Sequence, residues 1–376
     1  MAWSFRLGAV AGIPIRIHPT FFLVIGLGAL LWGREHGAIG ALFGVLMMVL
    51  LFGCVTLHEL GHALAARRVG IATNAILLQP IGGLAMLARS PSKPAHELLI
   101  SAAGPLANAL LVVVLALAGA LSGAFASVTP DNLAVRLDEV SVTGALLWLI
   151  QANIALALFN LLPAFPLDGG RMLRALLSFK LGPATATRIA TYTGQGVAIL
   201  LGAYALTTGN LVLGLVALVV YLGAGQERLE ERTQSALERV TVGEVYNRHA
   251  LALGLGDRVE TAANYLLTSP QQDFAVLREQ TLLGVVTRAD VLRALAEGRG
   301  REFITLAMRR DVVYVDVAAT LEAVRQTMAE RGTRVVAVVE GGVFRGLVSL
   351  EDIIEAGAVS EALRHSRSTR PAQQAG

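Results

Sequence analysis

Hydrophobic and polar positions divide this chain into two unlike halves. As far as about residue 224, runs of Leu, Ala, Val and Gly are interrupted only by widely spaced charges, whereas from Gln226 onward Glu, Arg and Asp recur every few residues. The first half has the pattern of a polytopic helical membrane domain, residues 1–224, and the second that of a soluble α/β region. Apolar runs place spans at Ile17–Trp32, Ile39–Ala66, Leu98–Leu121, Val142–Leu162, Thr191–Leu206 and Leu211–Leu222. Several fall short of the roughly 20 residues that an untilted span needs. Two stretches break the helical pattern. Gly12–His18 alternates apolar and polar residues and predicts a short strand, and Ala75–Ala88, broken by Pro80, Gly82 and Gly83, is no spanning helix.

Charge orients this arrangement. Six spans put both termini on one side, together with Arg6, Arg16, Arg67, Arg68, Arg89, Lys93, Arg171, Arg174, Lys180 and Arg188; Arg34 and Arg136 fall opposite. Positive residues gather on the cytoplasmic side of membrane proteins, so the expectation is a cytoplasmic-membrane protein with both termini in the cytosol. A net charge of +3, averaged over such unlike halves, carries no sign of nucleic acid as a partner. The one cysteine, Cys54, excludes an intramolecular disulfide framework.

The chemistry begins at His58-Glu59-Leu60-Gly61-His62. Residues four apart share a helix face, so His58 and His62 aim two imidazoles at one Zn2+ ion while Glu59 stands beside its open position. Ionisable groups inside a span are costly and mark function. Catalytic zinc takes a third protein ligand, and Asp168 follows an apolar run in Asn160-Leu161-Leu162-Pro163-Ala164-Phe165-Pro166-Leu167-Asp168-Gly169-Gly170. There, prolines and glycines break the helix and let a carboxylate turn inward. The competing reading makes Asp168 a cap for a helix at Gly169–Leu177. Glu97, Asp131, Asp138 and Glu139 lie at span edges or in a loop and make poorer ligands.

Residues 225–239 read as a linker of solvated helix. Beyond it, 240–300 and 301–362 are two similar strand–helix–strand–strand–helix units, and 363–376 a polar, disordered tail. The pattern Gly-x-x-Thr/Ser-x-x-Asp recurs: Gly284, Thr287 and Asp290 become Gly346, Ser349 and Asp352.

With these residues in place, the membrane half resembles the site-2 proteases, the intramembrane zinc metalloproteases. The likeness rests on the pentapeptide at 58–62, on Leu167-Asp168-Gly169-Gly170, and on Ser101-Ala102-Ala103-Gly104-Pro105-Leu106-Ala107-Asn108 between them. The repeated half resembles a tandem CBS pair. Together they imply a polytopic α-helical membrane protein of about six transmembrane helices with short membrane-associated β-strands, plus a cytosolic α/β CBS pair. The resemblance implies regulated intramembrane proteolysis: His58, His62 and Asp168 as ligands, Glu59 as general base, and Asn160 as oxyanion donor or as an interhelical hydrogen bonder. Asn153, two turns earlier, is the runner-up. It implies that Ala75–Ala88 forms the family's membrane-associated hairpin, whose edge would clamp extended substrate by strand addition; the alternative is a plain connector that dips into the interface. Thr287, Asp290, Ser349 and Asp352 would hold an adenine nucleotide (ATP, ADP or AMP), or else serve only as helix caps in a homodimer platform. Substrates of the family's kind are single-span proteins: anti-sigma factors, precursors of membrane-bound transcription factors, remnant signal peptides. Against the protease stand a CBS-regulated transporter or channel and a catalytically silent metal-binding scaffold.

Overall fold

The structure, a computed structural model, describes residues 4–368 apart from 81, 92 and 249. It divides into two units at Leu229 and Glu230. The first unit runs β1 (Phe5–Val10), β2 (Ile13–Ile17), α1 (Phe21–Arg68), β3 (Thr73–Gln79), β4 (Gly82–Leu87), α2 (Pro94–Leu121), α3 (Leu133–Asp138), α4 (Val142–Asn160), α5 (Asp168–Leu181), α6 (Pro183–Thr208) and α7 (Leu211–Leu237). Among the described residues, α1, α2, α4, α6 and α7 are long and apolar enough to cross a membrane.

A straight helix of 48 residues would be about 72 Å long, more than twice the hydrocarbon core. At Gly37, however, α1 takes φ 62° and ψ −146°, a conformation open to glycine and strained for other residues. Its two limbs fold on each other along a seam of small residues. A Cβ on Gly44 would stand 2.1 Å from the carbonyl oxygen of Gly28, and one on Gly40 would stand 2.3 Å from that of Trp32. Such residues let membrane helices approach closely enough for dispersion to hold them. Counted as two limbs, α1 brings the spanning segments to the expected six.

Some boundaries differ from expectation. The first span starts at Phe21 because Ile17 ends β2, and α6 starts at Pro183, well before Thr191, because Ala186, Thr187 and Ala190 are buried in the bundle. The last span and the linker are one continuous helix, α7. Just before the linker, Gly223 lies against Pro166 and Ala224 is buried, whereas Gly225 and Gln226 at its start are exposed.

The predicted strand at Gly12–His18 is β2, and the broken stretch is the antiparallel hairpin β3–β4. They join β1 in a sheet of order β1-β2-β3-β4, with β2 and β3 parallel. Ile13, Ile15, Ile76 and Leu78 bury one face against Phe52, Val55 and Ala63 of α1, and β4 is an edge strand of the sheet that lies beside α1.

The second unit runs α8 (Val242–Val245), β5 (Ala252–Gly254), α9 (Val259–Thr268), β6 (Asp273–Arg278), β7 (Thr281–Thr287), α10 (Arg288–Ala296), β8 (Tyr314–Asp316), α11 (Leu321–Arg331), β9 (Val335–Glu340), β10 (Val343–Ser349) and α12 (Leu350–Ser368). Each repeat builds a three-stranded sheet, β5-β6-β7 and β10-β9-β8, and the two share a core of Ala275, Val285, Val335, Ala337 and Leu347. Helix α12 carries the chain through the start of the expected tail to Ser368; residues 369–376 lie outside the described residues.

One carboxylate in this unit works against the fold. Burial, with Glu351 and Asp352 nearby, pushes Asp273 up to about 6 although Arg334 opposes the shift. An acid raised on folding stabilises the folded state fully below its unfolded value of about 3.9, and that contribution is lost as pH rises through about 6. Asp273→Asn is therefore expected to gain about 1–2 kcal/mol at pH 7.5, allowing for screening, and little at pH 4. Thermal melting of the full-length protein at the two pH values, with hydrogen exchange in β6, checks it.

Candidate active site

The helical repeat sets His58 and His62 on one face of the second limb of α1, with their Nε2 atoms 3.1 Å apart. Both are buried. His62 Nδ1 lies 2.7 Å from the carbonyl oxygen of Ile100 in α2. A carbonyl only accepts, so Nδ1 carries the hydrogen and Nε2 presents a lone pair. Helix α2 comes this close because residue 104 is glycine: a Cβ there would fall 2.2 Å from His62 Nε2 and 2.7 Å from His58 Cε1. The small-residue stretch Ser101–Asn108 thus gives the two imidazoles room.

Asp168 arrives from the other side. After Asn160 ends α4, the chain turns through Pro163 and Pro166 and restarts as α5 with Asp168 in its first turn. The turn is tight. A Cβ on Gly169 would meet the carbonyl oxygens of Leu161 and Leu162 at 2.4 and 2.3 Å, and one on Gly170 would meet Ala164. Asp168 Oδ2 stands 3.3 Å from His58 Nε2 and 3.2 Å from His62 Nε2. Leu167, not Asp168, is the cap residue of α5, so the capping role is not the one Asp168 fills.

These three atoms form a near-equilateral triangle, and Asp168 Oδ2 is buried with no hydrogen-bond partner. Three acceptors facing one another in a dry bundle are a costly arrangement unless a cation joins them. Tetrahedral zinc with bonds of about 2.0–2.1 Å spaces its ligand atoms about 3.3 Å apart, so the donor set fits Zn2+ in type and in size. Among the described residues, His58, His62 and Asp168 are the one such metal-competent group.

Glu59, also buried, points to the sheet. Its Oε2 accepts from Ala85 N–H of β4 at 2.8 Å, and a Cβ on Gly83 would overlap its side chain at 2.3 Å from Cγ. The edge strand therefore holds the carboxylate by one amide and leaves it space by lacking one side chain. Asn160 donates from Nδ2 to Leu156 O at 3.0 Å, and Asn153, fully buried, donates likewise to Leu149 O. Cys54 packs with Met47, Met48 and Leu149, apart from the metal-competent group.

In the second unit, the repeated motif closes two capping boxes. Thr287 and Asp290 exchange bonds at the start of α10, as do Ser349 and Asp352 at the start of α12. The two differ. Asp290 is also gripped by the Arg309 fork at 2.8 Å through both oxygens, which holds its carboxyl below the usual range, whereas Asp352 keeps only Ser349 among described partners. A cleft of about 340 Å³ beside Asp290 is lined by Arg293, Arg299 and Arg309. Reading by residue type named the three metal-competent residues, but not the clearance that Gly83 gives Glu59 nor the contact of Ile100 O, whose roles lie in distance and backbone.

A zinc-type donor set sunk into a polytopic bundle, with a carboxylate at its side, defines a membrane-embedded metallohydrolase. Residues 46–201 match the model of peptidase family M50, and residues 242–297 and 301–359 each match that of the CBS domain. The zinc metalloprotease MJ0392 of Methanocaldococcus jannaschii is 32% identical over 365 residues, covering 96% of this chain and 98% of that protein. Stage IV sporulation protein FB of Bacillus subtilis is 30% identical over 213 residues, 56% of this chain and 64% of that protein. Among solved structures, the site-2 protease from Methanocaldococcus jannaschii is 37% identical, with a TM-score of 0.43, covering 60% of this chain and 95% of that one. The chain belongs to peptidase family M50, as a multi-pass zinc metalloprotease with a C-terminal CBS pair. That decides between protease and transporter in favour of the protease.

Proposed function

We propose that this enzyme cleaves single-span membrane proteins within or beside their transmembrane helix, and that its CBS pair adjusts the rate. The observation that supports it most is the triangle of His58, His62 and Asp168 buried among spanning helices beside Glu59. Zinc held by these three supplies Lewis acidity, polarising a peptide carbonyl and making water nucleophilic near neutral pH. Glu59 takes the proton of the attacking water and passes it to the leaving amine. Asn160 donates its amide hydrogen to the oxyanion in place of its bond to Leu156. The amide of Ala85 faces away from β3, toward Glu59, so a substrate strand laid along β4 brings its backbone to the site as extended chain, the form a peptidase cleaves.

In the CBS pair, Ser349 and Asp352 suit the phosphate and ribose of an adenine nucleotide better than Thr287 and Asp290 do, because Arg309 already occupies the Asp290 carboxylate. Both termini lie in the cytosol, on the distribution of Arg and Lys. The membrane-anchored substrates named above for the resembling family remain the class to test.

Metal analysis with cleavage of a panel of single-span substrates tests the protease reading on detergent-purified protein. Wild type is expected to hold one zinc and to cleave. Asp168→Ala, left with two ligands, is expected to lose most of its zinc and at least about 100-fold in activity. Wild type without zinc, or Asp168→Ala with full zinc and full activity, would sink it.

A further inference from the structure

Arg174 lies two turns beyond Asp168 on α5 and is largely, though not fully, buried between two carboxylates. Its Nε donates to Glu97 Oε1 of α2 at 2.6 Å and its Nη1 to Glu227 Oε1 of α7 at 2.8 Å, while its guanidinium stands 5.3 Å over the ring of Phe165. Three largely desolvated charges, the buried Glu97 among them, are a large expense in a bundle of mostly apolar residues. A hydrophobic trio would hold three helices together as well, so stability alone does not account for them.

The placement of the triad suggests what they do. Glu227 shares one face of α7 with Gly223 and Ala224, and all three meet the segment that delivers Asp168. Gly223 seats Pro166 so closely that a Cβ there would fall 2.7 Å from Pro166 Cδ. Ala224 packs on Phe165, which is fully buried, together with Leu173 and Ala190. Glu227 then pins Arg174 on the far side of Asp168. Helix α7 thus grips the chain both before and after the third ligand. It is also the covalent route from the protease unit into the CBS unit, since it continues to Leu237.

We propose that Arg174, held by Glu97 and Glu227, is a positioning residue for Asp168, and that the Gly223–Ala224–Glu227 face of α7 sets how firmly Asp168 holds zinc. The inference rests on the reading of Asp168 as a zinc ligand.

The test follows zinc rather than proteolysis. Full-length protein in detergent is loaded with zinc, and release to a colorimetric chelator is timed for wild type, Glu227→Gln, Gly223→Ala and Gly225→Ala, with the visible spectrum of the cobalt-substituted forms as a second readout. Gly225 has open space around it and serves as the control. Glu227→Gln and Gly223→Ala are expected to release zinc about 10-fold faster and to alter the cobalt spectrum, with melting temperatures within a few degrees of wild type. Gly225→Ala is expected to match wild type. Release within two-fold of wild type in both variants overturns the proposal. So does faster release that only accompanies a large fall in melting temperature, which would make the triad a fastening of the bundle. Wild type that holds no zinc would overturn the metal-site reading itself.

Discussion

Glu59→Gln is expected to keep its zinc and to lose about 1,000-fold in kcat. Glutamine matches glutamate in size, and its carbonyl oxygen still accepts from Ala85 N–H, so the hairpin and the metal-competent triangle remain as they are. What disappears is a base able to take a proton from water and return it to the amine, a function worth roughly 100- to 10,000-fold. Gly83→Ala is expected to give a milder version of the same result, since its Cβ would displace Glu59 without touching a ligand. Zinc content and kcat, measured together on purified protein with a single-span substrate, separate the base from the ligands. Loss of zinc in Glu59→Gln would mean that Glu59 supports the metal, and unchanged turnover would remove it from the mechanism.

The contrast between Glu59 and its surroundings shows which parts of the site were legible in the sequence. Residue type and spacing suffice for His58, Glu59 and His62, because a helix turns a spacing of four into a shared face. Asp168 was legible because two prolines and two glycines around an acid at the end of an apolar run have few other uses. Neither pattern says how close α2 and β4 must come, because closeness is carried by atoms that are missing: the absent side chains of Gly104 in α2 and Gly83 in β4. The hairpin of α1 was half legible. Two apolar runs flank a polar Gly33–Gly37 segment, yet it is the φ of Gly37 that turns the second limb back onto Gly28. In the sequence, Glu97 reads only as an acid at a span edge. Its partner Arg174 lies 77 residues away in sequence, and no local pattern announces a pair at that separation. The run of α7 into the linker was hidden because a helix that changes from apolar to charged surroundings changes composition without changing backbone.

Gly104→Ala should therefore remove zinc almost as thoroughly as loss of a ligand. The added methyl would lie 2.2 Å from His62 Nε2, well inside van der Waals contact, and the helix backbone that carries it is fixed by packing against α1. His62 has little freedom to retreat, because its Nδ1 is bound to Ile100 O one turn earlier on the same helix. Swinging the ring away from the methyl breaks that bond and turns Nε2 out of the triangle with His58 and Asp168. Outer partners of metal ligands are worth roughly 10- to 100-fold in affinity, and a displaced ligand costs more, so zinc affinity is expected to fall by at least about 100-fold. Gly53→Ala, on the same helix as the histidines and with open space at its Cβ, should bind zinc as wild type does. Competition with a chelator of known affinity measures both. Equal affinities in the two variants would show that the imidazoles are not confined by α2, and that the tautomer chosen by Ile100 is not what holds them in place.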